Sequence, residues 1–328
     1  MNWLDWGYPV LLWFQGLGDS LLLPMQAFTA LGNEFFFMLV MPGLLWCYDA
    51  RLGIEIGGLL LFSSSINGIA KMITALPRPY WANPAVHAVE GGSGFGFPSG
   101  HAQNALVMWG QLAVRIRRRW VTWLCVALIF MISISRWYLG LHFPLDTLGG
   151  WIIGIAILVL YARLHTTIQR SLEPLSSGMK IILSFNVALM LVLAGWVLST
   201  QRIAPADLSL WERTAQEALP DAERIQPFAM DPVISSAGSW FGVMAGGVLL
   251  AAWNGYKMKG SLGQYLLRIL LGITGLLVIY LGLKSVFPTD ASAATHALRF
   301  LRYALLGFWI SYLAPRLFMR LRLFQPAG

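Results

Sequence analysis

Long apolar stretches, each closed by a short polar or basic interval, follow one another along almost the whole chain. Nine approach the ~20 residues that carry a helix across a ~30 Å hydrocarbon core. They lie near residues 31 to 48, 53 to 75, 99 to 115, 120 to 138, 146 to 163, 179 to 199, 234 to 254, 268 to 287 and 299 to 317. Helix is the form expected of each, because an open strand in lipid leaves backbone amides and carbonyls without partners. Ahead of them, an aromatic segment near residues 8 to 16 is too short to span and reads as interfacial. The fold class expected is all-α, a polytopic transmembrane helical bundle of about nine spans.

The polar interval from 164 to 180, with Pro174, Ser176, Ser177 and Gly178, divides five spans from four. Four regions follow: an N-terminal interfacial segment (1–30), a five-span region (31–163), a cytoplasmic connection (164–180) and a four-span region (181–328). No internal repeat or low-complexity tract is visible. The chemically distinctive polar residues cluster in the first half, and the second half reads as scaffold or groove wall.

Composition agrees with the pattern. The 328 residues are 57% hydrophobic and 12% charged, about half the ~25% charged fraction of a soluble globular chain. The net charge of +8 invites a nucleic-acid reading, but the basic residues sit in short clusters between apolar segments, which is a topology signal, so no nucleic-acid partner is expected. Arg51 follows span one; Arg115, Arg117, Arg118 and Arg119 follow span three; Arg163 and Arg170 follow span five; Lys257 and Lys259 follow span seven; Arg316, Arg320 and Arg322 follow span nine. Every second connection is basic and faces the cytoplasm on this reading, with the N-terminus outside and the C-terminus inside. The connection 200–233, with six acids (Asp207, Glu212, Glu217, Asp221, Glu223, Asp231) against three arginines (Arg202, Arg213, Arg224), falls outside. Cys47 and Cys125 both lie in apolar runs, which argues against a disulfide framework or a zinc site. The opening MNWLDWGYPVLLWF lacks a basic n-region and a small-residue cleavage site, so a signal peptide is not expected.

Three polar groups share the outer side. Lys71 is followed after six residues by Arg78 and Pro79; Pro98, Ser99, Gly100 and His101 open span three; and Ser135 and Arg136 precede, by five residues, His142 and then Asp146. Singly each has an ordinary reading: a snorkelling cation, a helix start, a capped helix turn. Jointly they supply what a phosphoryl site requires. Arg78, Arg136 and Lys71 offer charge to several phosphate oxygens. The amides around Ser99 and Gly100 add donors at a helix N-terminus, and the approach GGSGFGF allows close backbone contact. Of two imidazoles, one attacks phosphorus and the other protonates the leaving oxygen. A carboxylate one helical turn from His142, Asp146, would orient the attacking ring. No acidic cluster suited to a divalent cation is visible, so neither metal nor cofactor is expected.

The strings KMITALPRP, PSGH and SRWYLGLHFPLD resemble the three-part signature of the type 2 phosphatidic acid phosphatase (PAP2) superfamily, which includes glucose-6-phosphatase and the vanadium haloperoxidases. The resemblance covers residues 31 to 163, and no signature position departs from it. It implies His142 as nucleophile, Asp146 as its orienting partner and His101 as general acid and then base. Lys71, Arg78, Ser99, Gly100 and Arg136 would cradle the phosphate, a site that also takes vanadate. The segment LGNEFFFMLVMPGLLWCYD and the span count further resemble the sphingosine-phosphate, dolichyl-diphosphate and glucose-6-phosphatases. Glu34 in that segment reads equally as a functional or a structural acid.

The function expected is hydrolysis of a membrane lipid phosphate or diphosphate through a phosphohistidine intermediate, at the outer face of a bacterial inner membrane. Candidate substrates are phosphatidate, phosphatidylglycerophosphate, sphingoid phosphate and polyprenyl diphosphate. A soluble sugar phosphate and phosphotransfer to a second lipid are the enzymatic alternatives. A transporter or lipid-binding protein is the alternative of another class, against which stand the missing half-repeats and a polar cluster at one surface. Oligomeric state leaves no mark on the sequence.

Overall fold

The computed structural model describes residues 6–201, 204–252, 256–288, 290 and 292–326, without the side chains of residues 34, 35, 256, 257, 325 and 326. Arg202 and the side chains of Glu34 and Lys257, singled out above, therefore lie outside the described residues. The helices in chain order are α1 (Gly7–Gln15), α2 (Leu22–Ala30), α3 (Glu34–Cys47), α4 (Ala50–Thr74), α5 (Pro79–Ala82), α6 (Gly100–Ile116) and α7 (Arg119–Tyr138). There follow α8 (Pro144–Leu172), α9 (Ser177–Thr200), α10 (Leu208–Ala218), α11 (Asp231–Ala251), α12 (Leu262–Val286), α13 (Ala293–Phe308), a π turn (Trp309–Leu313) and α14 (Ala314–Arg320). Tyr256–Lys257 and Gln325–Pro326 form one short antiparallel pair.

Each predicted span coincides with a helix, and the protein is an all-α, multi-pass membrane protein. Among the described residues, however, six helical stretches rather than nine are both long and apolar enough to cross a bilayer. The shortfall has local causes. The α3 helix is 14 residues long, and α6 has 17 and buries Gln103, Asn104 and Gln111. The 16-residue α13 buries Arg302. Polar residues serving the interior lower the apolarity of a helix that still sits in the bundle. Outward faces tell the same story in reverse: Trp120, Trp123 and Phe130 of α7 and Leu270, Leu277 and Val278 of α12 are exposed, as lipid-facing side chains are.

One compact unit comprises Met1–Phe37, Ile66–Tyr161 and Gly195–Ala229. Within it α1, α2 and α6 pack on α7, and α10 packs on α5. Helix α6 is fixed at its start by Ser99, whose hydroxyl accepts from the Ala102 amide, and by Asn67, whose amide group donates to Gln103 Oε1 at 2.9 Å. Small residues bring α8 against α6: a methyl group on Gly150 would stand 2.6 Å from the Ser99 carbonyl oxygen, which only a bare backbone avoids.

The other unit comprises Met38–Ser65, Ala162–Ala194 and Met230–Gly328. Its centre is the α11 and α13 pair, where a methyl group on Gly238 would stand 2.7 Å from the Phe300 carbonyl oxygen. Leu45, Trp46, Leu276, Leu306, Phe318 and Phe324 form a buried apolar cluster. Arg268, fully buried beside it, donates to the carbonyls of Leu323, Trp46 and Met258.

Candidate active site

Every residue singled out for phosphoryl chemistry lies in the first unit, at one end of its helices. Lys71 is in the last turn of α4 and donates to the Phe95 carbonyl at 2.7 Å. Arg78 caps α5 in an extended conformation, with Pro79 as the first helical residue. Its Nε donates to the Gly94 carbonyl at 2.8 Å and its Nη1 to the Leu141 carbonyl at 3.4 Å. The Gly-rich stretch makes this possible: any side chain at Gly92 would collide with the Arg78 guanidinium, and one at Gly96 would stand 2.6 Å from the Pro77 carbonyl oxygen.

Arg136 closes α7 and is almost wholly buried. Its carbonyl accepts from the amides of Leu141 and His142, at 3.0 and 3.3 Å. This turn bends His142 back toward Arg136, and it passes through Gly140 at φ 73°, where a side chain would also strike the His87 carbonyl. The same stretch delivers the central pair. His142 Nδ1 lies 3.2 Å from Asp146 Oδ2, which also accepts from the Phe143 amide at 2.8 Å. Both side chains are buried, at 2% and 0% exposure.

Burial drives the His142 imidazole well below the usual histidine range, and the charges of Arg78, Lys71, Arg136 and His101 push in the same direction. The ring is therefore neutral near pH 7. In the tautomer that carries its proton on Nδ1, this nitrogen donates a hydrogen bond to Asp146 Oδ2 and the Nε2 lone pair is left over. His101, half-buried in the first turn of α6, stands against Gly32: a methyl group there would be 3.4 Å from His101 Cδ2.

Ser99 is placed differently from the expectation that its amide cradles phosphate. That N–H donates to the Asp146 carbonyl at 2.8 Å, tying the start of α6 to the start of α8. The Ser99 hydroxyl retains its own proton to donate, and Gly100 sits beside Asn67, 2.9 Å from a methyl group placed on it. Tyr80, Trp81 and Phe95 are buried supports beside these groups: Phe95 lies edge-on to Phe228 at 5.0 Å, and Tyr80 accepts from the Gly92 amide. His87 is exposed in the loop beyond α5, and His296 is half-buried in α13. Among the described residues no three His, Cys, Asp or Glu side chains converge as metal ligands would.

Two residues that sequence reasoning passed over reach the site. Glu90 Oε1 accepts from Arg136 Nη1 at 2.7 Å, and the Thr29 hydroxyl accepts from the same nitrogen. Neither belongs to a recognisable string; they lie 46 and 107 residues from Arg136.

Comparison with known proteins places these residues in a family context. Residues 52–170 match the PAP2 superfamily, and residues 234–326 match the PAP2 superfamily phosphatase, transmembrane extension. The chain is 45% identical over 71 residues to the lipid A 4'-phosphatase of Bacteroides thetaiotaomicron, covering 21% of this chain and 32% of that protein. It is 27% identical over 169 residues to sphingosine-1-phosphate phosphatase 1 of Mus musculus, covering 49% and 39%. It is 29% identical over 163 residues to phosphatidylglycerophosphatase B of Bacillus subtilis, covering 46% and 71%. The chain thus spans well under half the length of the first two relatives. No solved structure matches it.

Proposed function

Because the chain belongs to the PAP2 superfamily, we propose that it is a membrane phosphatase that hydrolyses a lipid phosphate or diphosphate through a phosphohistidine at His142. The observation that carries this reading is the buried His142 and Asp146 pair at 3.2 Å, set among Arg78, Lys71, Arg136 and His101. A neutral imidazole oriented by a carboxylate is a nucleophile, and cations held in a dry site stabilise the charge that develops on a phosphoryl group in flight.

The reaction runs in two steps. His142 Nε2 attacks phosphorus, the bond from phosphorus to the leaving oxygen breaks, and His101, protonated once the bound phosphate offsets the neighbouring cations, gives that oxygen its proton. Water then attacks the phosphohistidine, His101 takes one of its protons, the P–N bond breaks, and phosphate leaves with both histidines restored. Lys71, Arg78, Arg136, the Ser99 hydroxyl and the Gly100 backbone hold the phosphoryl oxygens throughout. The reading confines this machinery to residues 31 to 163.

Topology supports a lipid substrate outside the cytoplasm. The site residues gather at the ends of α4 and α7 and the starts of α6 and α8, whereas Arg51, Arg115, Arg118, Arg119 and Arg170 mark the opposite ends of those helices. On this reading the protein resides in a bacterial inner membrane with its site toward the periplasm. The relatives act on lipids by name, as lipid A and sphingosine-1-phosphate phosphatases, and an amphiphile reaches such a site from the bilayer. Purified protein in detergent, with a chelator present, is expected to release phosphate from lipid phosphates in preference to sugar phosphates. Equal or greater release from soluble substrates would overturn the lipid assignment.

A further inference from the structure

The Arg136 guanidinium is held from one side. Its Nη1 donates to both Thr29 and Glu90, which uses both protons of that nitrogen. Its Nε is buried and has no acceptor among the described residues. Nε and Nη2 form the lateral edge of a guanidinium, two parallel donors that match two oxygens of one phosphate. We propose that Glu90 is a positioning residue: with Thr29 it anchors Nη1 and so presents the lateral edge of Arg136 to the substrate phosphate. The proposal rests on the phosphatase reading and adds to it the device that aims its buried cation.

The loop bearing Glu90 is built to hold one position. The Val89 amide donates to the Leu139 carbonyl at 3.3 Å, one turn beyond Arg136. The Gly92 amide donates to the Tyr80 hydroxyl at 3.0 Å. From the acidic outer connection, the Gln226 amide donates to the Ser93 carbonyl at 3.0 Å, and Ala222 lies so near that a methyl group on Gly91 would be 3.1 Å from its Cβ. The acidic connection thereby straps the loop down. The Glu90 side chain keeps 49% of its surface exposed while that of Arg136 keeps 4%. Pairing therefore strips water mainly from the guanidinium, the favourable arrangement for a carboxylate that must steady a buried cation.

The rival is a carboxylate that competes with phosphate for Arg136, and it predicts effects of opposite sign. The test measures dissociation constants for orthovanadate and inorganic phosphate, with kcat and KM on a lipid phosphate, for the whole protein in detergent. Glu90→Ala is expected to weaken both anions and raise KM about tenfold to a hundredfold. Glu90→Gln, which keeps an acceptor oxygen, is expected to recover most of the loss. Thr29→Val removes the other anchor, is expected to weaken the anions as well, and carries the test should Glu90→Ala fail to fold. Unchanged or tighter anion binding in Glu90→Ala, or Glu90→Gln as weak as Glu90→Ala, overturns the proposal while wild-type turnover leaves the phosphatase reading standing. Wild-type protein that neither binds the anions nor releases phosphate overturns both.

Discussion

Two arginines, Arg136 in one unit and Arg268 in the other, are equally withdrawn from water, at 3% and 0% exposure. Their surroundings differ. Arg268 spends every nitrogen on backbone carbonyls, Nε and Nη2 on Leu323 and Nη1 on Trp46 and Met258. Its carbon lies 4.8 Å from the Tyr265 ring centre and 4.5 Å from that of Phe324. Every nitrogen is thus engaged by the protein itself, and Arg268 acts as a pin. Among the described residues the buried Arg136 Nε meets no acceptor, a cost of about 1–3 kcal/mol that an incoming acceptor removes. A buried cation whose every nitrogen is engaged speaks of architecture, and one with a nitrogen in reserve speaks of binding.

The largest effect expected on the binding side is that of His142→Ala, a loss of at least about a thousandfold in turnover, read as phosphate release. Its thermal midpoint is expected to stay close to wild type; a variant that unfolds instead would blur the distinction between the units. On the architectural side, Arg268→Met removes a guanidinium that serves three carbonyls, two of them in buried hydrogen bonds. It is expected to cost about 3 kcal/mol of stability, measured by thermal denaturation in detergent, with turnover per folded molecule unchanged. Arg136→Lys keeps the charge and loses the lateral fork, and a fall of about tenfold in vanadate affinity is expected with little change in stability. If the stability loss fell on Arg136 and the affinity loss on Arg268, the comparison would be reversed.

The smallest expected effect is on pH dependence. Burial and neighbouring cations hold His142 below the ordinary value of about 6.5, so its acid limb in kcat/KM lies below that pH. Arg136→Ala removes one of those cations, raises the pKa and moves the limb to higher pH. The same depression means that an unfolded His142 binds a proton before the folded one does. Its contribution to stability is therefore present above about 6.5 and is lost as pH falls toward the folded pKa. An acid limb that stayed fixed in Arg136→Ala would separate Arg136 from His142.

Helix positions were legible in the sequence because length and apolarity decide them in lipid, and α7, α8 and α12 follow directly. The count of about nine spans stays approximate, because α6 and α13, both read as spans, are short and carry buried polar side chains, Gln103 and Arg302 among them, so length and apolarity alone leave them out. The signature residues were legible as a set since each string holds its own chemistry. What escaped was partnership across distance. Thr29 comes from α2, a helix that the aromatic N-terminal pattern does not announce, and Glu90 is one acid in a loop of glycines. The Ser99 amide looks free in the sequence and is taken by a carbonyl 47 residues later (146 − 99). The two units likewise interleave three segments each, a pairing that no local composition break encodes.

The central claim is that His142 carries the phosphoryl group between leaving oxygen and water. Rapid quenching of turnover with phosphorus-labelled lipid substrate, followed by peptide mapping, tests it directly. The account predicts an acid-labile, base-stable label on His142 that is absent from His142→Ala. Label on another residue, or undiminished phosphate release by His142→Ala, would contradict it.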